Sequence, residues 1–87
     1  MIYYYSRYYS ETYSAETLEE IIEQAKRFLK KRMFTFFRFE GVSNIQELGY
    51  TIKQRDSSLF IRFTIQYDYC NGKSHKETTS ITLTKIS

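Results

Sequence analysis

Eighty-seven residues allow a single domain, because a chain this short buries only about 60 % of the surface its unfolded form exposes. A hydrophobic fraction of 41 % beside a charged fraction of 26 % excludes the disordered class, and a net charge of +3 with mixed signs excludes a continuous polycation. One cysteine, Cys70, excludes an internal disulfide and any multi-thiolate metal centre, and no apolar run approaches the ~18 residues of a bilayer-crossing helix.

The chain opens on tyrosine: six of its nine, Tyr3, Tyr4, Tyr5, Tyr8, Tyr9 and Tyr13, fall within the first thirteen residues. The opening Met1-Ile2-Tyr3-Tyr4-Tyr5 lacks the charged start and aliphatic core of a signal peptide, so the cytoplasm is the expected address. Ile2 to Tyr9 reads as an edge strand or a partly ordered arm. Rings beyond what a small core absorbs point to a partner surface at Tyr3, Tyr5, Arg7, Tyr8 and Tyr9, of which at least two tyrosines should stay exposed. Packing on the domain's own core and stacking on unpaired bases are the competing readings.

From Ser14 to about Arg32 the residues Leu18, Ile21, Ile22, Ala25, Phe28 and Leu29 recur at three- and four-residue steps, which predicts an amphipathic helix. Ser14 or Thr17 can cap it, and Thr17 with Glu20 has capping-box spacing. Acids fill the first turns, and Lys26, Arg27, Lys30, Lys31 and Arg32 are expected in the last, opposing the helix dipole, with Glu23 reaching Arg27. Lys26, Arg27, Lys30 and Lys31 form a basic strip on the outer helix face that can meet phosphates.

Met33 to Glu40, with Phe34, Phe36, Phe37 and Phe39, reads as a strand, and Gly41 to Gly49 as a loop with a short helical turn at Ser43-Asn44-Ile45-Gln46. Tyr50 to Arg55 and Leu59 to Tyr69 read as two strands joined by a tight turn at Asp56-Ser57. Pairing Arg55 with Ser58 sets Ile52 opposite Ile61 and Tyr50 opposite Phe63, and Leu59, Ile61, Phe63, Ile65, Tyr67 and Tyr69 share the buried face. Asn71-Gly72 then predicts a hairpin into a Thr-rich strand from about Lys73 to Ile86. A three-residue loop, Cys70-Asn71-Gly72 with Gly72 left-handed, puts Ile81 opposite Ile61 and keeps the aliphatics on one side.

The elements read β-α-β-β-β-β, an α+β fold with one amphipathic helix packed on one face of an antiparallel sheet, and Ile22 and Ile61 should both be nearly fully buried. The other sheet face should show Thr51, Lys53, Arg55, Phe60, Arg62, Thr64, Gln66, Lys76, Thr78, Ser80 and Thr82. If that face binds a partner, Phe60 is its anchor, with Arg62 and Lys53 beside it.

Catalytic chemistry finds little to work with. Asp68, Cys70 and His75 lie close together on one hairpin, but no second ligand pair completes a metal site, and no orienting group accompanies Cys70 and His75 as a nucleophile and base. The three glycines, Gly41, Gly49 and Gly72, form no phosphate-binding loop. No cofactor and no enzymatic activity are expected, with a metal-independent RNase built from scattered Arg, Lys, Glu and Tyr as the remaining catalytic alternative.

The short, Ile/Lys/Tyr/Thr-rich, proline-free chain without an enzyme signature resembles the small orphan proteins of bacteriophages and mobile elements, among which anti-CRISPR and other anti-defence inhibitors are a common class. That resemblance implies a plug that occupies a functional surface of a host protein. Unlike the acidic nucleic-acid mimics of that class, this chain is net basic. The expected function is therefore a non-catalytic binding protein that inhibits or modulates a larger protein, such as a nucleic-acid-processing or CRISPR-Cas complex. A small nucleic-acid-binding or regulatory protein using Arg62, Lys53 and the helix bases is the alternative.

Overall fold

In the computed structural model, which describes residues 1–37 and 39–86, the chain forms β1 (Ile2–Ser6), β2 (Glu11–Ala15), α1 (Leu18–Phe36), β3 (Val42–Arg55), β4 (Ser58–Tyr69) and β5 (Ser74–Lys85). The five strands make one antiparallel sheet in the order β2-β1-β5-β4-β3, and the helix lies across one face, an α+β architecture. The molecule is 49 Å long, about what the fourteen residues of β3 span when extended at ~3.4 Å each.

The alternating stretch becomes the sheet's spine. Leu59, Ile61, Phe63, Ile65 and Tyr67 of β4 are buried, with Ile81 and Leu83 of β5 beside them, whereas Tyr69, expected on the same buried face, is exposed because it ends the strand at the hairpin tip. The register is the expected one, pairing Arg55 with Ser58, Ile52 with Ile61, Tyr50 with Phe63 and Ile81 with Ile61. At the hairpin tip the Tyr69 N–H donates to the Lys73 carbonyl and the Gly72 N–H to the Tyr69 carbonyl, both at 2.9 Å. Gly72 sits at φ +82°, where a side chain would strain the backbone even though nothing crowds the space.

Thr17 caps the helix, its Oγ1 accepting the Glu20 N–H at 3.3 Å, and Glu19 and Glu20 occupy the positive end of the dipole. Ile21, Ala25, Leu29 and Met33, four residues apart, form the buried stripe. Ile22 lies at the stripe's margin and is only half-buried, against the expectation of near-complete burial.

The helix and β3 depart from expectation in further ways. The segment expected as a strand over 33–40 instead continues the helix to Phe36, because Met33 prolongs the buried stripe and no Gly or Pro interrupts it. The last helical turn consequently contains no base, and the bases expected there lie further inside the helix. Glu23 pairs with Lys26 at 3.3 Å rather than with Arg27. β3 begins at Val42 instead of emerging from a loop near Tyr50, because long β4 offers a pairing edge that absorbs the irregular stretch through register shifts between Ser43 and Gln46 and between Glu47 and Gly49. Asn44, expected in a helical turn, takes a left-handed φ of 53° there.

The N-terminal segment is a hairpin, and of the single strand expected over Ile2 to Tyr9 only Ile2–Ser6 is extended. Arg7 to Ser10 turn back, with Ser10 left-handed at φ 52° and the Ser6 hydroxyl accepting the Tyr9 N–H at 3.3 Å. β1 therefore lies inside the sheet, and β2 takes the edge. Tyr4 and Tyr13 face each other across this hairpin and are both buried, so part of the tyrosine cluster is core.

Candidate interaction surface

Antiparallel pairing sets the residues of the uncovered face into rows, since directly opposed side chains lie on the same side of a sheet. One row runs Arg55, Ser58, Thr84, Tyr5, Thr12. The next runs Lys53, Phe60, Thr82, and the third Thr51, Arg62, Ser80. Tyr3 stands two residues from Tyr5 on the same side and is 38 % exposed. Tyr3, Tyr5, Lys53, Phe60 and Arg62, which lie in three separate stretches of sequence, thus share one continuous face.

Charge on that face is predominantly positive. Lys53, Arg55, Arg62 and Lys76 are all exposed. Among the described strand positions paired on this side the one carboxylate is Asp68, at the far end, where it accepts from Ser74 Oγ at 2.6 Å and Asn44 Nδ2 at 3.0 Å. Those two bonds, the Ser74 bond first, hold its carboxyl below the ordinary range. The strand acids Glu47 and Glu77 both pair with Ile65, which puts them on the helix side, and Glu47 meets Lys30 of the helix at 3.2 Å.

At one margin of the face the Arg7–Ser10 turn parts from β5 and leaves a cleft of about 870 Å³. Arg7, Tyr8 and Tyr9 form one wall; Thr78, Thr79, Ser80, Ile81, Thr82 and Thr84 form the other, so most lining residues carry a hydroxyl. A smaller hollow of about 390 Å³ lies among Lys53, Arg55, Ser58 and Phe60. Tyr8 is 84 % exposed and touches Tyr9 edge to face at a centroid distance of 4.8 Å. Tyr9 itself is a brace: its ring meets Phe28 at 5.1 Å, the Arg32 guanidinium sits 4.6 Å from its centroid, and its hydroxyl reaches the Ser80 carbonyl.

The hairpin residues weighed for chemistry have other partners. His75 stacks on Tyr67 and meets Tyr69 edge to face, while Cys70 is exposed and Asp68 is held by Ser74 and Asn44. Among the described residues no group of three potential metal ligands converges, and no helix is long and apolar enough to cross a membrane.

Sequence reading passed over Thr79 and Thr84 of the cleft, and also the exposed Phe36, Ile45 and Leu48. The rows that place Thr84 beside Tyr5 depend on β1 joining β5, which no local pattern announces. Ile45 and Leu48 fall within the register shifts of β3, where alternation ceases to assign faces. Compared with known proteins, the chain matches no family model, no curated sequence and no solved structure.

Proposed function

We propose that this chain is a non-catalytic binding protein that modulates or inhibits a larger protein by laying its uncovered sheet face on an acidic surface of that partner. The supporting observation is the grouping of Lys53, Arg55 and Arg62 around Phe60, with Tyr3 and Tyr5 on the same face, while the one paired carboxylate stands at the far end beside the row of Lys76. Rings supply contact area at low entropic cost, and cations supply orientation and association rate. A basic face argues against nucleic-acid mimicry, so within a nucleic-acid-processing or defence complex in the cytoplasm it would seek an acidic protein surface.

The test is affinity capture from host extract with the wild type, with Phe60→Ala and with the double variant Arg62→Glu/Lys53→Glu, alongside thermal melting. Loss of one and the same captured protein with melting unchanged supports the face. Unaltered capture by both variants rejects it.

A second reading is favoured by Phe60 lying between Lys53 and Arg62: a single-stranded nucleic acid with a base on Phe60 and phosphates on the cations. Fluorescence anisotropy with a labelled oligonucleotide at rising salt separates the two. Binding that falls steeply with the logarithm of salt concentration favours nucleic acid.

A further inference from the structure

β5 is covered on one side along its whole length by β4, but on the other side β1 reaches only Thr84 and Lys85, with the Ile86 N–H donating to the Tyr3 carbonyl. The Tyr69 N–H to Lys73 carbonyl and Lys85 N–H to Ser57 carbonyl bonds show that odd-numbered residues of β5 turn their backbone groups toward β4. In an antiparallel ladder the residues between them turn away, so Lys76, Thr78, Ser80 and Thr82 direct N–H and C=O groups toward the uncovered edge. One of these is occupied, the Ser80 carbonyl, which accepts from the Tyr9 hydroxyl at 3.2 Å. The other two sheet edges are poorer templates: β2 has five residues, and β3 is broken by register shifts.

We infer that the free edge of β5 from Lys76 to Thr82 is a second binding site, which takes an extended acidic peptide segment of another protein as an added strand. A row of evenly spaced backbone donors and acceptors is complementary to another extended backbone. A second copy of this chain fits badly. Two-fold pairing centred on residue 76 or 77 sets Lys76 or Glu77 against its own symmetry mate, and centring on Thr78 drives the partner's hairpin tip into the place that Tyr5 holds beside Thr84. The acidic preference comes from Arg7 in the cleft wall, from Lys76 on the edge strand and from Arg62 one row in, beside Ser80; among the described residues no carboxylate lines the cleft, Glu77 lying on the helix side opposite Ile65. This edge does not depend on the reading of the open face.

The experiment titrates the amide-labelled protein with a capped octapeptide of alternating Glu and Val, and with its Lys counterpart. The expected result is saturable shift changes and slowed exchange at the amides of Lys76, Thr78, Ser80 and Thr82, with Glu77, Thr79 and Ile81 slow already because they bond to β4. Arg7→Glu should weaken binding by about tenfold, the change that one charged contact carries. Thr78→Pro removes an outward N–H without touching the β4 ladder, a position where a strand tolerates proline, and should abolish binding while the Ile61 and Ile81 signals persist. No saturable change at millimolar peptide overturns the inference. So do equal binding of the Lys peptide, undiminished binding when the peptide is N-methylated at alternate residues, and edge protection that appears with dimerisation in sedimentation. Shifts confined to Phe60 and Arg62 also overturn the edge site, yet leave the open-face reading standing.

Discussion

The Tyr9 hydroxyl donates to the Ser80 carbonyl at 3.2 Å, across 71 positions of sequence, and so ties the β1–β2 turn to the strand from which it diverges. The Tyr9 ring completes the tie by resting on Phe28 and under the Arg32 guanidinium. A residue with the sequence signature of a surface anchor is thereby a bridge between sheet edge and helix.

Tyr9→Phe keeps the ring contacts and removes the hydroxyl, so it should cost about 1 kcal/mol, the usual net worth of one hydrogen bond. Tyr9→Ala removes both and should cost about 2–3 kcal/mol, since the ring is only partly buried. Urea unfolding of the two variants measures the difference.

The neighbouring tyrosines should divide sharply. Tyr4 is 3 % exposed and opposes Tyr13, so Tyr4→Ala should cost about 3–5 kcal/mol, as for other buried aromatics. Tyr8→Ala should stay within about 0.5 kcal/mol of wild type. Paired thermal melts check this, and a Tyr8 variant that melts early would show that its exposed ring carries packing.

Ile61→Asp places an unpaired charge in the fully buried centre of β4 and should unfold the domain, read as loss of near-ultraviolet dichroism. Ile22→Ala should be milder than Leu29→Ala, for which about 2–5 kcal/mol is expected, because Ile22 is half-buried and Leu29 is fully buried.

Alkaline pH should destabilise the fold through two tyrosines. Burial, with Glu11 nearby, pushes the Tyr13 hydroxyl up from 10.0 to about 12, and a hydrogen bond with Tyr69, then burial, pushes Tyr67 up to about 12. Below pH 10 both states hold these protons; above it the unfolded chain releases them first, so the stabilisation is lost as pH rises through the folded values. Absorbance titration should show late-ionising tyrosines, one of which disappears in Tyr13→Phe and one in Tyr67→Phe. Asp68 acts in the opposite sense: its lowered carboxyl favours the fold above the ordinary carboxylate value, and that contribution disappears as pH falls through its depressed value. Asp68→Asn should remove this acid-side dependence from a pH series of melts.

The parts legible in sequence are those governed by near neighbours. A period of two over Leu59 to Tyr69 sets one face of β4, and parity alone then fixes the loop at Gly72 and the opposition of Ile81 and Ile61. Thr17 and Glu20 mark the helix start by spacing, as their bond shows. The membership of Phe60, Arg62 and Lys53 in one face follows from the same parity.

What the tertiary structure decided turns on partners remote in sequence. Aromatic residues at 34–37 suit a strand or a helix, and the choice fell to the core that Met33 extends. The turn at Arg7–Ser10 carries no Gly, Asn or Pro to announce it, and it forms where a buried Ser6, the Tyr4–Tyr13 pair and the Tyr9–Ser80 bond all find partners at once. Pairing β1 with the end of β5 then made one face of the scattered Tyr5, Phe60 and Arg62, and left the rest of β5 as an open edge. Strand neighbours are chosen by which surfaces bury together, a property of the whole assembly that no local periodicity encodes.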